Sequence, residues 1–272
     1  MLIEADCHMH SNFSNDSKAS MEDMIESAIR HGMKEICFTD HMDYDYPIRD
    51  GYDFVFDVEE YRTKLKNMKE RYQDRITILT GIELGLQPHL KDRITSLIKS
   101  YPFDFIIGSS HVVDHYDPYY PEYWADKTVE EGIRRYYETI IENCQAINDF
   151  HVYGHIDYII RYIPKSLTEN FHYSYRDYLD LLEEALKIII SHGKGIEVNS
   201  SGYKYGLGRP HPDAEVLKLY RELGGELITI GSDAHAPEHL CYDFESVSEL
   251  LKSLGYRYCA VFHQGKPVFQ KL

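Results

Sequence analysis

No apolar run in this 272-residue sequence approaches the ~20 residues needed to cross a bilayer. The opening residues carry no basic segment ahead of an apolar stretch, and Glu4 and Asp6 interrupt what apolar character there is. A membrane partner is therefore excluded, and a soluble cytoplasmic protein is expected. Basic side chains are also scarce. Lys and Arg number 29 against 45 Asp and Glu, a formal charge of −16. Such a surface repels a phosphate backbone, which excludes nucleic acid and leaves a small molecule as the expected partner. C-x-x-C spacing is missing. The five cysteines (Cys7, Cys37, Cys144, Cys241, Cys259) are odd in number and scattered, and read as buried thiols in a reducing compartment. Linkers, internal repeats and low-complexity segments are absent too.

What is present is a hydrophobic content of 43%, enough for a sizeable core. Short apolar runs alternate with amphipathic stretches, the pattern of βαβ units. Strands are expected over 2–7, 35–39, 76–79 continuing to Glu83, 103–107, 151–154, 195–198 and 227–230, with a last short strand at 258–262. Between them lie a helix capped by Ser20 and stopped near Gly32, one capped by Asp57, one after Pro88, and others over 130–147, 174–191, 212–223 and 244–254. Seven strand-then-helix units in one chain predict a single α/β barrel domain over 1–272. Loop insertions near 42–57 and 112–127 would lie over its mouth.

The first expected strand ends in Asp6-Cys7-His8-Met9-His10. Side chains two apart in a strand share a face, so Asp6, His8 and His10 are expected to project together. Two imidazoles at a strand end can bind one metal ion, or can be a buried hydrogen-bonded pair. The arrangement recurs: Asp40-His41, Glu83, His111, His155-Ile156-Asp157 and Asp233-Ala234-His235 all follow apolar runs. In a closed α/β barrel the C-terminal strand ends form the site, so one barrel would gather them. With Asp16, these are too many ligands for one ion and suit two or three. Glu83, alone on its strand, is the natural bridge. Carboxylates and imidazoles without thiolates fit zinc, manganese or iron.

Taken together, Asp6-Cys7-His8-Met9-His10, Thr39-Asp40-His41, Gly81-Ile82-Glu83, Ser110-His111, Gly154-His155-Ile156-Asp157 and Gly231-Ser232-Asp233-Ala234-His235 resemble the polymerase and histidinol phosphatase (PHP) superfamily, in its order and across nearly the whole chain. The resemblance implies a distorted seven-stranded (β/α) barrel, TIM-barrel-like, with two to three divalent ions. It places the first ion on His8, His10, Glu83 and Asp233, the second on Glu83, His111 and His155, and the third on His41 and His235 with Asp16. Asp6 is expected to fix an imidazole from behind, and Asp40 and Asp157 to be either such supports or ligands.

Within the superfamily the nearest likeness is to the stand-alone histidinol-phosphate phosphatases of histidine biosynthesis. It rests on Ser14-Asn15-Asp16, Thr39-Asp40-His41-Met42, Arg161-Tyr162 and Asn199-Ser200-Ser201-Gly202. The implied reaction is hydrolysis of L-histidinol phosphate to L-histidinol and phosphate by a hydroxide held between two ions, with Glu83 and Asp233 central. Asp40 or a metal-bound water is the expected general acid. Arg161 either grips the phosphate or forms a surface ion pair, and Lys204 and Arg209 are candidates for a second cation. Tyr119, Tyr120, Trp124 and Asp126 either receive the cationic end of the substrate or pack a lid. Two alternatives are a related enzyme acting on another small phosphoester and an amidohydrolase-like enzyme. The latter often uses a bridging carbamylated lysine, and here Glu83 stands where that lysine would.

Overall fold

The computed structural model describes residues 3–47, 51–168 and 171–272. Its strands, in chain order, are β1 (Ala5–Met9), β2 (Glu35–Phe38), β3 (His41–Met42), β4 (Thr77–Gly85), β5 (Phe105–Ser109), β6 (Val152–Tyr153), β7 (Gly195–Asn199), β8 (Ile228–Gly231), β9 (Tyr258–His263) and β10 (Lys266–Lys271). The helices are α1 (Met21–Arg30), α2 (Val58–Tyr72), α3 (Lys91–Ser100), α4 (Val129–Ala146), α5 (Leu179–Ser191), α6 (Ser201–Lys204), α7 (Ala214–Glu222) and α8 (Phe244–Ser253).

The first eight strands are all parallel, ordered β1-β2-β4-β5-β6-β7-β8. β3 continues the path of β2 after a break at Thr39 and Asp40, and pairs with β4 through His41 and Glu83. Seven strand positions result, and the sheet curls into a nearly closed barrel. Closure comes late in the strands: the Asp233 amide donates to His8 O (2.8 Å) and the His10 amide to Ala234 O (2.9 Å).

Helices form where sequence periodicity and capping agree. In α1, Met21, Met24, Ile25 and Ala28 make one buried stripe, and the Ser20 side chain accepts from the Asp23 amide. Asp57 caps α2 in the same way, and Thr128 with Glu131 forms a capping box on α4. The helix expected from 174 begins instead with a 3-10 turn, Tyr175–Tyr178, before α5.

The chain end departs from expectation. One last strand was anticipated from the apolar residues at 258–262, but β9 folds back on β10 as an antiparallel hairpin. Gln264 and Gly265 form its two-residue turn, both at positive φ, as a type I′ turn requires. Ala260, Val261 and Phe262 of β9 cluster with Ala5, Cys7, Cys37, Leu79, Phe105, Ile107 and Val152, which plugs one end of the barrel with apolar side chains. The other end, where the strands finish, is left for polar ones. Of the described helices, none is long and apolar enough to cross a membrane.

Candidate metal centre

The site begins with an irregularity in β1. Asp6 registers with Ile36, but Met9 registers with Phe38, so two residues of β1 oppose one of β2. This is a bulge at Cys7 and His8, and it resets the alternation. Cys7 packs inside the plugged end and His8 also points inward, toward the polar end. Asp6 is thereby turned away from both histidines, which corrects the expectation that the three share a face. Its carboxylate accepts from the Ser232 hydroxyl (2.5 Å) and from the amides of Ser232, Cys241 and His8. It anchors β1 to the chain beyond β8, and reaches backbone where an imidazole was expected.

Three donor sets converge at the strand ends. In the first, His8 Nε2 lies 3.1 Å from His10 Nε2 and 3.1 Å from Glu83 Oε2. Asp233 Oδ1 completes it, 3.7 Å from His8 Nε2 and 3.3 Å from His10 Nε2. In the second, Glu83 Oε1 lies 3.2 Å from His111 Nε2 and 2.9 Å from His155 Nε2. In the third, Asp16 Oδ2 lies 3.1 Å from His235 Nε2 and 3.7 Å from His41 Nε2. Neighbouring ligand atoms of a tetrahedral zinc with ~2.0–2.1 Å bonds stand about 3.3 Å apart. The observed spacings bracket that edge, and the atoms are imidazole nitrogens and carboxylate oxygens throughout. The donors fit divalent cations. Asp233, at φ 53°, holds a left-handed backbone conformation that non-glycine residues rarely adopt, and it does so beside this cluster.

Burial and neighbouring charge compete at several of these groups. Burial alone would raise the Glu83 carboxyl, but His8, His111 and His41 outweigh it and hold it well below the usual range. Asp233 is lowered against burial by His8, His10 and His235, and Asp16 by His235 and His41. Burial opposes a proton on His111, yet Asp43 and Glu83 raise it to about 10. His10 goes the other way, lowered by burial and by the neighbouring His235 and His41. Carboxylates are kept anionic here, and the His8, His41 and His111 rings attract protons that a cation would replace.

Supporting groups lie behind the donors. Asp40 is fully buried and lies outside the cavity lining. Its oxygens accept from the Ser11 and Ser14 amides and hydroxyls. Ser14 Oγ in turn receives the His41 amide and His10 Nδ1, so Asp40 orders the loop that orients His10, a geometry unlike that of a general acid. Two supports had no expectation attached. Asp43 Oδ2 is 2.7 Å from His111 Nδ1, and Glu197 Oε1 is 2.6 Å from His8 Nδ1. The signal for Glu197 was a lone carboxylate inside an apolar strand; Asp43 offered only its place just after His41.

The cavity over the cluster measures about 100 Å³. Arg161 forms part of its wall. The guanidinium carbon lies 4.5 and 3.9 Å from the Tyr162 and Tyr205 ring centroids, Nη2 donates to the Tyr162 hydroxyl, and Nε, although buried, has no hydrogen-bond partner among the described residues. It is no surface ion pair. Asp43, Asp117, Tyr46, Phe54 and Tyr158 share the lining with the donors. Tyr46 donates its hydroxyl to Asp117 (2.6 Å). Arg209 is not in this lining: its guanidinium is bound to Asp157 (2.7 Å) and Asp213 (3.2 Å). Asp157 also holds His211 Nδ1, and is a support for the 209–213 segment. Lys204 sits outside the lining too, with Nζ 4.5 Å from the Tyr205 ring. Of the expected lid residues, Tyr119 is 62% exposed and edge-on to Tyr162, Trp124 is buried with its indole N–H on Pro118 O, and Asp126 is exposed. Tyr120 meets the Tyr119 ring edge-on. None of the four lines the cavity.

The chain is similar to several known proteins. Histidinol-phosphatase of Lactococcus lactis is 30% identical over 268 residues, spanning 96% of this chain and 95% of its own. A protein named as a probable histidinol-phosphatase of Clostridium acetobutylicum is 28% identical, spanning 93% and 94%. The crystal structure of histidinol phosphate phosphatase from L. lactis, complexed with zinc, L-histidinol and phosphate, superposes with a TM-score of 0.88 and covers 98% of this chain and 100% of that one. The PHP domain family matches residues 6–201, and the chain belongs to that family.

Proposed function

We propose that this protein is a metal-dependent phosphomonoesterase that hydrolyses L-histidinol phosphate to L-histidinol and phosphate. The observation that carries the reading is the cluster of donor atoms around Glu83, in a chain whose 30%-identical structural relative holds zinc, L-histidinol and phosphate. His8, His10, Asp233 and Glu83 would hold one divalent ion, Glu83, His111 and His155 a second, and Asp16, His41 and His235 a third. Bound there, such ions polarise phosphoryl oxygens and lower the pKa of water.

The chain's own residues account for binding and orientation. Arg161 keeps a charged, planar donor fork at the cavity wall, beside the Tyr162 and Tyr205 rings and hydrogen-bonded to the Tyr162 hydroxyl. Its attraction for a phosphoryl group grows as negative charge spreads over the oxygens during transfer. Lys204 lies outside the lining, with Nζ 4.5 Å from the Tyr205 ring that Arg161 also contacts. Arg209 is committed to Asp157, so the phosphate falls to Arg161.

Asp117 in the same lining would receive the leaving group. Burial pushes the Asp117 carboxyl up, and its hydrogen-bond donors are the Tyr46 hydroxyl and the Tyr119 amide, both neutral. A cationic ammonium or imidazolium would complete it, with Phe54 and Tyr158 as apolar walls. A lining that offers both the Arg161 cation and the Asp117 carboxyl favours an amino-alcohol phosphate over nucleotides or phosphotyrosine. The test is phosphate release from L-histidinol phosphate, AMP and phosphotyrosine by metal-reconstituted protein. L-Histidinol phosphate should give the highest kcat/KM; equal or higher values for either of the others would overturn the assignment.

A further inference from the structure

Glu197 touches more than the His8 ring. Glu197 is the only charged side chain of β7, lies at its centre and is 1% exposed. Oε1 is 2.6 Å from His8 Nδ1. Oε2 accepts from the His155 amide (2.9 Å) and from Asn199 Nδ2 (3.1 Å). The surroundings keep room for it. A Cβ at Gly231 would stand 2.3 Å from His8 Cβ and 2.7 Å from Glu197 Oε1, closer than packing allows.

We infer that Glu197 is a positioning residue for two donor sets at once: it holds the His8 ring with its proton on Nδ1, and it ties down the backbone that presents His155. The inference rests on reading the cluster as a metal centre. A carboxylate accepts and cannot donate, so His8 Nδ1 must carry the hydrogen. Nε2 then presents its lone pair toward His10, Glu83 and Asp233, the direction a cation would need. The same logic applies to Oε2, whose two partners are both N–H donors. Every group facing this side chain donates.

Glutamine has the same shape and the wrong polarity. If its amide nitrogen faces His8, the imidazole proton is driven to Nε2 and the lone pair is lost to the cluster. If it faces His155 N–H and the Asn199 amide, donor meets donor. Neither flip satisfies all three partners and also leaves the His8 Nε2 lone pair free, so Glu197→Gln should weaken metal binding although no ligand has been removed.

The test is competition titration of zinc against a chromophoric chelator, on metal-stripped wild type and Glu197→Gln, with the apo melting temperature of each. A loss of about ten- to a hundred-fold in zinc affinity, the usual scale for such supports, is expected. A purely structural role would instead lower the apo melting temperature and leave affinity alone, and that result would overturn the inference. A second arm needs no variant. Nitrogen-15 NMR of zinc-loaded wild type should show the His8 hydrogen on Nδ1, and a hydrogen on Nε2 would be decisive against it. Wild-type protein that binds no zinc would remove the metal centre itself, a failure distinct from a variant that binds as tightly as wild type.

Discussion

Glu83 faces two donor sets with one carboxylate: Oε2 lies 3.1 Å from His8 Nε2, and Oε1 lies 2.9 Å from His155 Nε2. Oε2 also lies 3.0 Å from His41 Nδ1, so the same carboxylate reaches a member of the third set. The β4–β5 register puts Glu83 beside Ile107, and Ser109 donates its hydroxyl to Oε1 (2.7 Å), which sets the carboxylate's orientation.

Glu83→Gln should therefore lose more bound metal than His111→Ala or His155→Ala, and should lose turnover with it. Elemental analysis alongside kinetics on the three variants checks this. Wild-type metal content in Glu83→Gln would remove the shared-ligand role.

Arg161→Ala should lower kcat/KM for L-histidinol phosphate while leaving metal content unchanged, because arginine is not a ligand. A charge-assisted hydrogen bond is worth about 1.5–3 kcal/mol, so the expected loss is on the order of ten- to a few-hundred-fold. Arg161→Lys should restore only part, since an ammonium lacks the fork and stacks less well on Tyr162 and Tyr205. Unchanged kcat/KM in Arg161→Ala would move attention to Lys204.

Asp117→Asn should raise KM for L-histidinol phosphate by about tenfold or more, the worth of one charge-assisted contact. KM for a phosphomonoester with an uncharged leaving group, such as phenyl phosphate, should hardly move. Equal effects on both substrates would show that Asp117 shapes the cavity without recognising charge.

The buried Asp157 carboxyl carries a pH prediction. Burial would raise it, but Arg209 and His211 bring it down to about 2 from an ordinary 3.8. A group depressed on folding stabilises above its unfolded pKa and loses that contribution as pH falls through the folded one. Asp157→Asn should thus cost on the order of 2 kcal/mol or more near neutrality, since it also leaves Arg209 and His211 unanswered. The gap from wild type should narrow as pH drops from about 4 toward 2. Urea unfolding of metal-stripped protein across this range reads it, and a gap independent of pH would contradict the ion pair.

Strand ends were legible because ligands of a barrel site have to sit there, and short apolar runs ending in His or Asp mark them. His8, His10, His41, Glu83, His111, His155, Asp233 and His235 come together for that reason. The bulge at Cys7 and His8 was not legible, because period-two alternation has no signal for one inserted residue, and Asp6 was misdirected by it. Supports were hidden for a different reason. Glu197 meets His8 across 189 residues, and Arg209 meets Asp157 across 52, pairings that only the closed barrel creates. The β9–β10 hairpin was not legible because its turn is Gln264-Gly265, without the Asn or Asp that usually announces a type I′ turn, and because β10 carries Pro267, a residue rare inside strands.

Stepwise addition of zinc or manganese to chelator-stripped protein, with phosphate release from L-histidinol phosphate measured at each step, tests the central claim most directly. Activity should be absent without metal, should rise only as the sites sharing Glu83 fill, and should level off at two to three ions per chain. Full activity in stripped protein, or a plateau below one ion per chain, would contradict it.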